Sequence, residues 1–254
     1  MRSDSRRRLS PASEKLNTMI EHPHGHPHEI RDRRIWVEQH GEGDAVLLLS
    51  GLGPAGSHVI FHPHFDARAV DHRVIYVDLF GRGRSDRPQD LAEITFADDV
   101  ADVVALLGQL GPAHLYGFSY GGLIAQAIAL DHPAMARTVT LANTLHGPEM
   151  WQLNHANINR ELATQFPEVW ERIQALRLDG LRSTDEPLRQ EFARAAALVR
   201  FYDPGNAALL ADEPGSSNHE LYPIFCGDDV DFVMGARRPG SRTSGPGSRR
   251  SAFP

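Results

Sequence analysis

The chain has 254 residues but only one cysteine, Cys226, and one lysine, Lys15. A lone cysteine excludes an internal disulfide framework. No apolar run approaches the roughly 18 residues of a membrane span. The basic stretch from Met1 to Leu9 is followed by no continuous apolar segment, so the start does not read as a secretory signal. A net charge of -7 argues against a partner whose phosphates must be neutralised. What is present is ordinary: 41% hydrophobic and 23% charged residues, the balance of soluble globular proteins. These absences predict one soluble, cytoplasmic unit with no membrane and no nucleic-acid partner.

Along the chain the texture changes several times. Residues 1–33 read as a flexible His- and Arg-rich leader. Within it, His22-Pro23-His24-Gly25-His26-Pro27-His28 carries prolines and a glycine that deny it a helix or an interior strand. Its four histidines could chelate a stray transition metal, but nothing nearby supplies carboxylate or thiolate ligands in a fixed geometry, so no metal and no cofactor are expected. From Arg34 onward, short apolar runs predict strands at 35–37, 45–49, 73–77, 114–118 and 138–142. Between them, apolar residues at Val100, Val103, Val104, Leu107 and Leu110 follow helical spacing behind Thr95 as N-cap, and 122–130 reads as the next helix. Such alternation implies an α/β fold with a mostly parallel sheet and right-handed crossovers, a core spanning 34–145. Residues 146–235 are rich in helix formers, with Pro167 and Pro187 near helix starts, and predict an inserted helical cap. Residues 236–254 hold five arginines, no acid, and Gly, Pro and Ser throughout, so they read as a disordered tail.

One pentapeptide carries chemistry. Gly117-Phe118-Ser119-Tyr120-Gly121 lies between a predicted strand and a predicted helix. That is the setting in which G-x-S-x-G presents a serine hydroxyl above a sheet as a nucleophile. The oxyanion formed by attack of Ser119 needs preset donors. The backbone N–H of Tyr120 is one expected donor, and Leu52, in the glycine-rich 50–56 loop, is the other.

The segments Val46 to His58, Asp78-Leu79-Phe80-Gly81-Arg82-Gly83-Arg84-Ser85-Asp86-Arg87-Pro88 and Tyr116 to Gly122 resemble the proline iminopeptidase family of α/β-hydrolases. The resemblance covers about residues 34–235. It implies release of an N-terminal proline from a short peptide, with acidic side chains of the cap meeting the free amine. Glu149, beside Trp151, is the candidate for that role. An esterase or lactonase on the same scaffold is the alternative, because the elbow does not distinguish amide from ester, so the expected partner is a small peptide or ester substrate. An inactive pseudoenzyme is a further reading.

In this fold the acid and then the histidine follow the nucleophile late in the chain. No histidine follows His219. Pro223-Ile224-Phe225-Cys226-Gly227-Asp228-Asp229 has the look of a strand followed by an acid, yet 223–235 reads better as the close of the cap. The expectation is therefore that the C-terminal strands, the triad acid and the base are missing, as in a truncated or frame-shifted product. Arg outnumbers Lys 25 to 1, consistent with a GC-rich gene whose wrong frame would yield such a tail. His146, just past strand 138–142, is the base candidate, while His58 reads as structural.

Overall fold

The computed structural model describes residues 22–203, 205–206, 213 and 215–226. Six strands form one sheet: β1 (Gly25–Ile30), β2 (Arg33–His40), β3 (Ala45–Leu49), β4 (Arg73–Asp78), β5 (Ala113–Phe118) and β6 (Ala136–Ala142). Their order is β1-β2-β4-β3-β5-β6. The pairs β3–β4, β3–β5 and β5–β6 are parallel, whereas β1–β2 and β2–β4 are antiparallel. The predicted mostly parallel α/β architecture is present. The apolar runs at 45–49 and 73–77 form its middle, with Leu47, Leu48, Leu49, Ile75 and Tyr76 wholly buried. Burial on both faces is why these strands read as unbroken hydrophobic runs.

The leader expected over 1–33 needs correction. Gly25–Ile30 is a strand, joined to β2 by a two-residue turn at Arg31 and Asp32, with Arg31 at φ 55. Pro27 is compatible with it because β1 is the outermost strand, where a missing N–H breaks no interior ladder. Gly25 is required by a close approach: a Cβ there would lie 2.2 Å from the Trp36 ring. Residues 1–21 lie outside the described residues.

Two helices cross over the parallel strands, α1 (Phe96–Leu110) and α2 (Tyr120–Asp131). As its sequence predicts, α1 begins at Thr95, whose hydroxyl accepts the Asp98 N–H at 3.1 Å. Three further helices, α3 (Pro148–Gln165), α4 (Pro167–Leu178) and α5 (Glu186–Arg200), pack on each other through Leu162, Val169, Ile173, Leu188 and Phe192. They form a core of their own, distinct from that of the sheet.

The region assigned to the cap ends differently from expectation. Residues 221–226 form α6 (Leu221–Cys226), not a strand, and Leu221 and Phe225 are buried with the sheet core rather than with α3–α5. Asn218 ties this segment down, its N–H donating to Ala55 O at 2.9 Å and its side-chain amide to Gly81 O at 2.8 Å. Asp228, Asp229, Asp231 and the 236–254 tail lie outside the described residues. Among the described residues β6 pairs on one side only, and Leu141 near its end is 46% exposed. No helix among them is long and apolar enough to cross a membrane.

A buried ion pair connects these parts. The Arg82 guanidinium meets Asp99 of α1 through two contacts of 2.7 Å and also donates to Pro54 O at 2.8 Å and Phe80 O at 2.6 Å. The hydroxyl of Tyr120, the first residue of α2, donates to Asp99 at 2.6 Å. Burial raises the Asp99 carboxyl above its ordinary value, opposed by Arg82 and Tyr120. Burial and then the Asp99 charge push the Tyr120 phenol well above its own, so it stays a donor.

Asp99→Ala strands a buried guanidinium and should cost about 3–5 kcal/mol. Tyr120→Phe, which keeps the ring against Phe96 and Phe225, should cost about 1.5–3 kcal/mol. Urea unfolding checks both, and equal small losses would refute the central role given to the pair. Gly108, inside α1 with nothing within 4 Å of a built Cβ, predicts the opposite sign. Gly108→Ala should stabilise by about 0.5–1 kcal/mol in the same assay.

Candidate active site

β5 ends and α2 begins at a single residue, Ser119, which has φ 50 and ψ -113. A serine with positive φ is strained by about 1–3 kcal/mol and persists only when its neighbours hold it there. Here the Ser119 N–H donates to Ala142 O at 2.9 Å, and its carbonyl accepts from Gly122 N–H at 2.9 Å and from the Thr144 hydroxyl at 2.7 Å. The turn is closed by contacts that only glycine permits. A Cβ on Gly121 would lie 2.1 Å from Leu49 O, one on Gly117 2.6 Å from Gly122 Cα, and one on Gly122 2.3 Å from Thr144 Oγ1. The elbow expected from the sequence is present, and Ser119 is partly exposed at its tip.

The 50–56 loop lies directly against it. A Cβ on Gly51 would come within 2.7 Å of Ser119 Cβ, and the Gly121 N–H donates to Ser50 O at 3.0 Å. Leu52 is left-handed, at φ 64 and ψ 44, and leads into a single 3₁₀ turn over Gly53–Ala55. The loop is held from several sides: Pro54 O by Arg82, Ala55 O by Asn218 N–H, and Gly56 O by the Ser50 hydroxyl at 3.3 Å. Tyr120 follows Ser119 directly at the start of α2, and Leu52 follows Gly51, the loop residue that meets Ser119.

The remaining candidates fare differently. His146 sits on the loop after β6, exposed, and makes no hydrogen bond or ion pair among the described residues. Glu149 and Trp151 fall in the first turn of α3, and their side chains lie outside the described residues.

The Asp78–Pro88 motif explains itself once folded. The Asp78 carboxylate accepts from His58 N–H at 2.8 Å, His58 Nδ1 at 2.7 Å and Arg84 N–H at 2.9 Å. A Cβ on Gly83 would lie 2.1 Å from that carboxylate, and Gly83 has φ +49. The Ser85 hydroxyl donates to Asp78 O at 2.5 Å and accepts from Trp36 N–H at 2.8 Å. These residues shape the loops beside Ser119.

His58 is structural in the sense expected, but it belongs to a larger buried group that the sequence did not reveal. Glu38 of β2 is fully buried with His22 Nδ1 at 2.5 Å, His40 Nε2 at 2.6 Å and His58 Nε2 at 3.4 Å from its carboxylate. Burial opposes ionisation of Glu38, yet His58, His62, His40 and His22 hold its carboxyl well below the usual carboxylate range. Burial alone would lower the His58 imidazole. Asp78 and then Glu38 reverse that and push it up to about 9. The flexible leader expected over 1–33 thus fails at His22 as well, whose side chain is buried between Glu38 and Glu213.

Residues 44–203 match the family of the alpha/beta hydrolase fold. Over 183 residues the chain is 30% identical to RutD of Azorhizobium caulinodans, named a carbamate hydrolase, covering 70% of this chain and 67% of that protein. It is 31% identical over 163 residues to the pimeloyl acyl-carrier-protein methyl ester esterase of Aeromonas hydrophila, covering 61% and 62%. The solved structure of VinJ superposes with a TM-score of 0.60 at 22% identity, covering 73% of this chain and 66% of VinJ, a likeness of fold. The expected kinship reaches less far: a proline iminopeptidase of Saccharolobus solfataricus is 28% identical over 139 residues, 54% of this chain and 44% of that protein. Among these named relatives the chain spans 44–67% of the partner's length. Sheet order, elbow and sequence agree, and the chain belongs to the alpha/beta hydrolase fold family.

Proposed function

We propose that the chain is a serine hydrolase in which Ser119 attacks the carbonyl carbon of a small ester or carbamate. The observation that carries this reading is the strained Ser119, held at φ 50 on the strand-to-helix turn with the 50–56 loop packed against it. The backbone amides of Tyr120 and Leu52 are the proposed donors to the oxyanion, a role in which each donor is worth on the order of 3 kcal/mol. The names of the RutD and methyl esterase relatives support an ester-like carbonyl over the amide of an N-terminal proline. The iminopeptidase reading stands second, with the shorter match as its support. In it, Glu149 and Trp151 at the start of α3 would meet the substrate amine. His146 is the base to test first, since the loop after β6 carries it close in sequence to Ala142, the residue that anchors the Ser119 N–H. A cytoplasmic setting and a small-molecule substrate complete the proposal.

A fluorophosphonate probe should label the wild-type chain and leave Ser119→Ala unlabelled. Turnover of a p-nitrophenyl ester should exceed that of proline p-nitroanilide and vanish in Ser119→Ala. The reverse preference would move the reading to the iminopeptidase branch, and an unlabelled wild type would remove the nucleophile role. His146→Ala should slow labelling by about 10²-fold or more, the usual worth of a positioned base. An unchanged rate would exclude His146 while leaving Ser119 in place.

A further inference from the structure

The buried histidines beside Glu38 fit a purpose that the elbow does not need. His22, Glu38, His58 and His62 each present one donor atom, and these four atoms lie within 4.8 Å of one another. His22 precedes β1, Glu38 lies in β2, and His58 and His62 begin and follow the 3₁₀ helix at His58–Phe61. All four side chains are at most 3% exposed. We propose that they bind one divalent transition-metal ion, zinc by the chemistry of three imidazoles and a carboxylate.

The orientation of each ring supports this. His58 turns its Nδ1 to Asp78 Oδ1 at 2.7 Å, His62 turns its Nδ1 to Asp66 Oδ1 at 2.8 Å, and His22 turns its Nε2 to Glu213 Oε1 at 3.2 Å. Each carboxylate thereby fixes a tautomer and leaves the opposite nitrogen facing the centre. A metal-ligating histidine is ordinarily held in this way by an outer carboxylate. Glu38 is held too, by His40 Nε2 on Oε1, so that Oε2 faces the centre. A separate observation points inward as well: His62 Nε2 is buried with no hydrogen-bond partner. An imidazole nitrogen in that state lacks the bond that burial normally demands.

The spacing fits a small tetrahedral ion. Zinc–nitrogen bonds of about 2.0–2.1 Å put neighbouring donors roughly 3.3–3.4 Å apart. Here His22 Nδ1 to His58 Nε2 is 3.3 Å, His58 Nε2 to Glu38 Oε2 is 3.4 Å, and His62 Nε2 to Glu38 Oε2 is 3.7 Å. The His22–Glu38 separation of 2.5 Å is short and the group spreads to 4.8 Å at its widest, so binding would draw His22 back from Glu38 and bring the widest pair together by about 1–1.5 Å. Four protein ligands with no open position make a structural site rather than a catalytic one. Bound metal would clamp the segment before β1 to β2 and to the chain that follows the 50–56 loop.

The test is zinc titration of the tag-free, full-length chain against a chromophoric chelator. One equivalent should bind with Kd on the order of 10⁻⁷ M or tighter, and zinc should raise Tm while a chelator lowers it. The cobalt-loaded chain should show the intense visible absorption of a four-coordinate site, a readout that needs no variant. His22→Ala and His62→Ala should each weaken zinc by at least about 100-fold. A triple variant of the outer histidines (His24→Ala, His26→Ala, His28→Ala) should bind as wild type. Sub-stoichiometric binding, a weak octahedral cobalt spectrum, or loss of zinc in the triple variant would overturn the proposal. The last result would mean chelation by the histidines of the outer strand, and the first a cluster held by protons alone.

Discussion

One buried guanidinium organises the side of the molecule that carries the nucleophile. Arg82 arrives on the loop after β4, Pro54 belongs to the loop after β3, Asp99 is on α1, and Tyr120 opens α2. Taking an ion pair out of water is costly, and the cost is recovered only when donors and acceptors are matched around both charges. Here the carboxylate receives the two prongs of the guanidinium and the Tyr120 hydroxyl, while Arg82 spends its remaining directed bonds on two backbone carbonyls. An ammonium could not do this, because it lacks the planar fork that reaches carboxylate and carbonyls at once. The geometry is therefore selective: four segments must arrive in register or the pair is left unpaired.

The strain at Ser119 depends on that register. A left-handed serine is stable only when displacement costs more than the strain, and the glycines at 117, 121 and 122 provide this by leaving no room to move. Gly121 is pressed on the last residue of β3, so the elbow and the 50–56 loop share one backbone contact. Whatever fixes one fixes the other. The positioning of the proposed oxyanion donors thus follows from sheet packing and not from flexible side chains, as preorganised electrostatic stabilisation requires.

Much of this was legible in the sequence, for local reasons. Ala45–Leu49 and Arg73–Asp78 announce themselves as apolar runs, Thr95 and Asp98 mark a helix start, and the G-x-S-x-G turn carries its own steric logic. The rest was hidden because it is non-local. Arg82 has the sequence look of a surface residue in a glycine loop, and only its partner 17 positions away makes burial tolerable. Residues 221–226 have a β-like composition, yet Leu221 and Phe225 stand one helical turn apart and both reach the core. Proline in β1 argued against a strand, and the objection fails only because β1 is outermost.

The histidine-rich segment shows most sharply how register rather than composition assigns a role. His22, His24, His26 and His28 are alike in sequence, and all alternate with Pro, Gly or Glu. Pairing places Gly25 opposite Glu38, and the chain turns before it, with Gly25 N–H donating to His22 O at 3.2 Å. That turn carries His22 back over Glu38, while His24 and His26 stay exposed. Strand alternation alone would leave all four on one face, since they are two residues apart, so it is the turn before Gly25 that separates His22 from the outer histidines. A shift of β1 by a single residue would exchange the faces and remove His22 from the cluster. The two-residue turn at Arg31 and Asp32 and the close fit of Gly25 on Trp36 both oppose such a shift, so two constraints without metal chemistry of their own set the position of His22.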